Sequence, residues 1–387
     1  MPADRIACLD GLRGLAALWV LLGHALILTG WRVPIVSRPD LAVDLFMMLS
    51  GFLMTFHYLE RRAQEPWGAP STWRVFWVRR FFRIAPLYYL LLALALFAGP
   101  GIGADRDAIA AVLPQTATAS SRYLDQSWGN VLAHLTFAFG FHPYYGFNTP
   151  LPDWSIGLEM AFYAAFPFLM AVAARTGLLL MAIPSALSCT LLSLLFPDFF
   201  RAFQEPSLLA IKLPIFLAGM LVAASLQARG RERLVLLAAA LALCLLPVRG
   251  SDNSALAYAI RSLCLTVMTL LIDAGRVPFG RFGPIVQWFA ARMGGRPATF
   301  LGDSSYAVYL LHLLAMVPVI ALVLAEFPSA SPRVHFLLTV AIVIPIVYLS
   351  AWLLHITVER PGIQLGRHII GQMRRHRSLR KAPADLA

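Results

Sequence analysis

The chain has 387 residues, of which 59% are hydrophobic and only 13% charged, with a mean hydropathy of +0.70. An ordinary soluble domain carries about 25% charged residues, so these proportions exclude a soluble globular protein and leave an integral membrane protein of many spans. The net charge of +12 is almost wholly arginine, Lys212 and Lys381 being the only lysines; in a membrane chain such an excess orients loops rather than marking a nucleic-acid binder.

Apolar runs of about 20 residues match a hydrocarbon core about 30 Å thick. In chain order they are predicted at 12–30, 41–59, 80–99, 154–174, 176–196, 208–227, 233–248, 256–275, 302–324 and 334–356, giving an all-α integral membrane protein of about ten helices. Asp10 and Arg13 flank the first run and nothing after His24 resembles a signal-peptidase site, so it is read as a retained helix. The stretch 128–141, with His134, is too short to span and reads as interfacial or re-entrant. The longest loop is 100–153. Residues 1–360 read as one membrane domain and 361–387 as a basic tail. Cys8, Cys189, Cys244 and Cys264 are scattered and suggest neither a disulfide framework nor a metal site.

Loop charge predicts cytoplasmic N- and C-termini. Arg61, Arg62, Arg74 and Arg79 then lie inside, as do Arg229, Arg231, Arg233, Arg276, Arg281, Arg292 and Arg296. The tail, with Arg367, Arg374, Arg375, Arg377, Arg380 and Lys381, lies inside too. The loop 100–153 falls outside, where Arg106 and Arg122 are balanced by Asp105, Asp107, Asp125 and Asp153. An eleventh span at 128–141 would put the basic tail on the wrong side.

At about 1.5 Å per residue, His24 is placed roughly 18 Å from the cytoplasmic face and Ser50 roughly 15 Å. Tyr309 and His312 fall at roughly 10 to 16 Å, and Glu159 in the outer part of the membrane. His24, Ser50, Glu159 and His312 are therefore expected to line one cavity near the midplane, above a rim of Arg13, Arg79, Arg80 and Arg83. Ionisable groups at this depth are functional candidates by default. Guanidinium groups suit phosphate, a histidine suits a general base, and Glu159 suits a group that orients that base or stabilises its charged form. The structural alternatives are a histidine bonded to a carbonyl, arginines that only mark the boundary, and Ser50-Gly51 as a packing notch. Tyr306 and Tyr309 would then be belt aromatics, Trp154 an outer-interface anchor, and Glu359-Arg360 an ion pair. His134 and His142 are weak acceptor-site candidates. His57, His335, His355, His368 and His376 are background.

Six motifs, in order and covering nearly the whole chain, resemble the membrane acyltransferase-3 family, the O-acetyltransferase type acting on surface polysaccharides. They are Leu9-Asp10-Gly11-Leu12 with Arg13 and His24, Phe46 to Phe52 around Ser50-Gly51, Arg79 to Pro86, Trp154 to Glu159 with Phe162-Tyr163, Ser305 to His312, and Glu359-Arg360-Pro361. Met160 departs from the family, whose members often have a second polar group there. The resemblance implies a bacterial inner-membrane enzyme that moves an acyl group, acetyl foremost, from cytoplasmic acyl-CoA to a hydroxyl of a glycan or related acceptor, without a metal. Taken with the depths above, His24, Glu159 and Ser50 are the expected catalytic residues, and Arg13, Arg80, Arg83, Tyr309 and His312 the expected donor-binding ones. No appended SGNH domain is read in the sequence, so the acceptor is expected to be engaged by the membrane domain or by a separate periplasmic partner. A multi-pass transporter of a small solute or polysaccharide precursor is the alternative from residues alone, although no inverted repeat is visible. A lipid-linked sugar transferase is a third reading, disfavoured by the lack of an acidic metal-binding loop.

Overall fold

The computed structural model describes residues 6–381, and side chains through Arg375; the tail residues Arg377, Arg380 and Lys381, as side chains, and 382–387 lie outside the described residues. The helices in order are α1 (Ala7–Leu28), α2 (Pro39–Arg61), α3 (Pro70–Val112), α4 (Ser121–Leu124), α5 (Trp128–Leu135), α6 (Trp154–Thr176), α7 (Leu178–Leu195) and α8 (Pro197–Arg201). They continue as α9 (Leu209–Ser225), α10 (Gly230–Cys244), α11 (Ala255–Asp273), α12 (Gly283–Met293), α13 (Arg296–Glu326), α14 (Pro332–Leu354) and α15 (Arg360–Lys381). No strand occurs among the described residues, as expected where every backbone polar group must be satisfied within a helix.

Among the described residues, eight helices are long and apolar enough to cross a membrane, the last running through α14 into α15. The expected spans 208–227 and 233–248 form α9 and α10, of 17 and 15 residues. At about 26 and 22 Å they fall short of a 30 Å core. The segment 128–141 is one short helix and a 3-10 turn. The loop expected from residue 100 begins only at 113, because α3 continues through Pro100 to Val112. Its Gly99 and Gly103 leave room for Tyr123 to pack against the helix. The tail beyond 360 is helical and lies along α3, Gly362 and Gly366 facing Pro86 and Phe82.

The bundle is organised by close pairs: α1 against α13, α2 against α9, α13 against α14, and α15 against α3. α2 and α9 touch backbone to backbone, since a Cβ on Gly51 would run into the Phe216 carbonyl and one on Gly219 into the Met48 carbonyl. Small residues allow such contact where lipid offers no hydrophobic drive between helices. α9 is buried on nearly all sides from Pro214 to Ala223, which fits its continuous apolar run.

One ionic cluster is locked into this core. Asp44 of α2 accepts from Lys212 Nζ of α9 at 2.6 Å and from Arg261 Nε of α11 at 2.7 Å; the three residues are 1%, 1% and 2% exposed. Removing the shared anion would strand two buried cations, a loss of about 3–5 kcal/mol for a broken buried pair. Asp44→Asn is expected to lower the melting temperature of the detergent-solubilised protein sharply, measured against Asp252→Asn in the partly exposed loop before α11; equal effects would refute the buried-cluster account.

Candidate active site

α1 and α13 cross with their small residues in contact, a Cβ on Gly302 running into the Asp10 carbonyl. That crossing brings His24 against His312, with His312 Nε2 3.2 Å from His24 Nδ1. His24 Nδ1 also lies 3.0 Å from the Val20 carbonyl, and His312 Nδ1 2.6 Å from the Tyr309 carbonyl. A carbonyl only accepts, so these contacts assign the proton to Nδ1 in both neutral rings. His312 Nε2 then accepts from His24, and the remaining nitrogen of His24, Nε2, holds a lone pair with no protein partner among the described residues.

Two cavities open from the face that carries the 62–69 turn and α15, here called the tail face. The first, of ≈ 500 Å³, is lined by His57 and by Arg61, Arg79, Arg80, Arg83, Arg367 and Arg374. Glu65 in the turn accepts from Arg79 at 2.9 Å and Arg374 at 3.1 Å. Burial pushes its carboxyl up, but the hydrogen bond to Arg79 and the charges of Arg79, Arg61 and Arg374 outweigh this and hold it below the usual range. The second cavity is narrow, ≈ 80 Å³, and shares Arg80 and Arg83 with the first; Arg13, Ser50, Glu159, Tyr163, Tyr306 and Tyr309 complete its wall. Within it Ser50 Oγ donates to Glu159 Oε1 at 2.9 Å, and the Tyr163 hydroxyl donates to the same oxygen.

Arg83 is held by Glu359, which also accepts from His355 Nδ1 at 2.9 Å, while Arg360 Nε donates to His355 Nε2 at 3.0 Å. A π-helical turn at His355–Glu359 makes this possible, one extra residue per turn re-aiming both side chains toward α3. Glu359 therefore pairs with Arg83, not with its neighbour Arg360 as expected.

A third cavity, of ≈ 520 Å³, opens on the opposite face, which carries the 113–153 loop. His24 lines it, together with Trp154, Tyr309, Arg106, Arg122 and Glu205. The loop folds inward over the start of α6, the Phe139 ring filling the place a Cβ on Gly157 would take. Trp154 is thereby buried at 7% exposure and is no interface anchor. His134 is fully buried, donating to the Asn130 carbonyl at 2.9 Å and stacked on Phe139, so it is part of the loop's core, whereas His142 is exposed.

The expected single midplane cavity is thus divided. Ser50 and Glu159 belong to the narrow tail-face cavity and His24 to the loop-face one, while His312 lines neither and touches His24 instead. Tyr309 stands between the two, its hydroxyl accepting from Ser155 at 2.8 Å and donating to the Pro152 carbonyl at 2.7 Å. Glu159 contacts Ser50 and not His24, and it lies deeper than its place in the sequence implied. Ser50 is eleven residues from the end of α2, about 17 Å in, and the infolded loop carries the start of α6 to that level. Arg13, Arg80 and Arg83 all line the tail-face cavities as expected. Sequence reasoning missed His355 beside Glu359, and the place of Glu205, Arg106 and Arg122 on the wall of the His24 cavity. Glu359 with a histidine four residues earlier was the available signal for the first, whereas nothing in the sequence marks a loop as folding inward.

The acyltransferase-3 family, described as an acyltransferase domain, matches residues 6–355. "Protein 2 in picA locus" of Rhizobium radiobacter is 43% identical over 93 residues, 24% of this chain and 45% of that protein. The peptidoglycan O-acetyltransferase OatA of Listeria monocytogenes is 27% identical over 174 residues, 43% of this chain and 24% of its own length. The chain thus spans less than half the length of these curated relatives. No solved structure matches, and among the described residues no cluster could hold a metal ion.

Burial pushes the carboxyl of Glu205, in the loop before α9, up to about 7, from an ordinary value of 4.5. Between these values the folded protein holds a proton that the unfolded chain has lost, so stability falls as pH rises from about 4.5 to 7. Glu205→Gln is expected to remove that part of the slope in a pH series of thermal melts; an unchanged slope would contradict the assignment.

Proposed function

The chain belongs to the acyltransferase-3 family, and from that premise we propose that it transfers an acyl group, acetyl foremost, from acyl-CoA to a hydroxyl of a cell-surface glycan or related acceptor. Its place would be a bacterial cytoplasmic membrane, with the arginine-rich tail face inside. The observation that carries the reading is that α1 joins an arginine-lined entrance at Arg13 to a histidine, about 16 Å further along, whose one unprotonated nitrogen has no protein partner among the described residues.

The division of the cavities supports an order of events. The donor's phosphates occupy the ≈ 500 Å³ arginine-lined cavity, where guanidinium forks pair with phosphate oxygens. The narrow cavity of ≈ 80 Å³ takes only the thin thioester end, beside Ser50, Glu159 and Tyr163. The acceptor enters from the loop face and its hydroxyl meets His24. The thioester end and the acceptor hydroxyl must meet at Tyr309, which lines both cavities; there His24 Nε2 takes the hydroxyl proton as the oxygen attacks the thioester carbon. The carbon–sulfur bond breaks, and the proton passes to the departing thiolate. His312 acts as a positioning residue, because its Nε2 accepts the His24 Nδ1 proton and fixes the tautomer that leaves the reactive nitrogen bare.

General-base catalysis typically contributes about 10²–10⁴-fold. His24→Ala in proteoliposomes is expected to lower transfer from labelled acetyl-CoA by at least about a hundredfold at normal protein levels, and full activity would sink the role. His312→Asn should shift the pH–rate profile more than it lowers donor affinity; a loss confined to protein yield would reduce His312 to a packing residue.

A further inference from the structure

The loop-face cavity holds more cationic charge than its own carboxylates neutralise. Arg38 is satisfied, donating to Asp40 at 3.0 and 2.8 Å and also reaching Asp252. Lys212 shares Asp44 with Arg261, two cations on one anion. Arg32, also on this wall, is exposed. Arg106 and Arg122 remain as the buried cations, each only 8% exposed, with no carboxylate within 4 Å among the described residues. Arg106 donates from Nη2 to the Thr116 carbonyl at 2.5 Å, and its Nη1 is buried with no hydrogen-bond partner. Arg122 donates from Nε to the Thr149 carbonyl at 3.1 Å, and its guanidinium lies 3.8 Å from the centroid of the Phe147 ring.

A buried charge without a partner is costly, and both arginines line the cavity that holds His24. The remaining carboxylate on this wall, Glu205, does not offset them, because burial leaves it substantially protonated near neutral pH. The Phe147 ring backs one face of the Arg122 guanidinium while the loop carbonyl occupies its Nε edge, a setting suited to presenting the planar fork to a carboxylate or phosphate.

Resting on the acyltransferase reading above, we propose that the acceptor is an anionic sugar derivative whose carboxylate or phosphate docks on Arg106 and Arg122, placing a neighbouring hydroxyl at His24. The anion is recognised on the loop face, apart from the tail-face cavity assigned to the donor. Specificity then resides in two arginines of the 100–153 region, which take no part in the proton transfer itself.

The full-length protein in detergent at low salt, titrated calorimetrically with three probes, tests this. Methyl glucuronide carries a carboxylate, glucose 1-phosphate a phosphate, and methyl glucoside neither. At least one charged probe is expected to bind tenfold or more tighter than methyl glucoside. Arg106→Gln and Arg122→Gln should each weaken that binding at least tenfold, Arg122→Lys less. Binding confined to the glucuronide assigns a carboxylate, and binding confined to glucose 1-phosphate a phosphate. Equal affinity for charged and neutral probes, failure of both charged probes to bind, or unchanged affinity in both Gln variants overturns the proposal. The wild-type comparison stands even if a variant fails to fold. Acetyl-CoA turnover in the same wild-type preparation is the separate check on the acyltransferase reading: its absence would remove that reading while leaving a measured preference for charge intact.

Discussion

The crossing of α1 with α13 is the contact on which the rest of the site depends. It is tight because Gly302 sits on the Asp10 backbone. From it follow the meeting of His24 with His312 and the course of both helices past the narrow tail-face cavity and the loop-face one. Arg13 and His24 project from one helix, and Tyr306, Tyr309 and His312 from the other. A looser crossing would separate the rings beyond hydrogen-bond distance, and the tautomer of His24 would no longer be set by its neighbour. Close packing of small residues here does what a hydrogen-bond network does in a soluble enzyme: it fixes the direction of one nitrogen.

The second constraint is the cost of charge away from water. Each ionisable group near the centre has a particular answer. Asp44 is shared by Lys212 and Arg261 within the core. Glu159 accepts two hydroxyl donors, and Arg83 is matched by Glu359 through a π-helical turn. Arg106 is a departure: its buried Nη1 lacks a hydrogen-bond partner among the described residues, as do Arg80 Nε and Arg249 Nε. Of these three arginines, Arg106 is the one that lines the cavity holding His24, and an unsatisfied cation on that wall is the feature that most directly points to a ligand.

Much of the architecture was legible in the sequence because hydrocarbon thickness and loop charge act on composition alone. The all-α class, the boundaries of α1, α2 and α6, and the gathering of Arg13, Arg80 and Arg83 at one face all follow from run length and arginine position. The resemblance of six ordered motifs agreed with the family match. Reading failed where depth was inferred from residue count. Glu159 is five residues into its helix, but that helix begins inside the protein because the 113–153 loop packs inward over Gly157. Likewise, Gly99 and Pro100 look like the end of a helix, yet the glycine serves as a seat for Tyr123 and the helix continues.

By itself, then, the sequence determined that the chain is a multi-spanning helical membrane protein, which of its residues are too costly to be idle, and to which family it belongs. These are consequences of hydrophobicity and of local motif chemistry, and neither needs a fold. Only the tertiary structure decided that the polar residues fall into separate chambers with Tyr309 between them. It also decided that His24 pairs with His312 and not Glu159, and that Glu359 belongs to Arg83 and not Arg360. The reason is that pairing at depth is set by which helices cross and by how far a loop intrudes, both products of long-range packing that no spacing along the chain encodes.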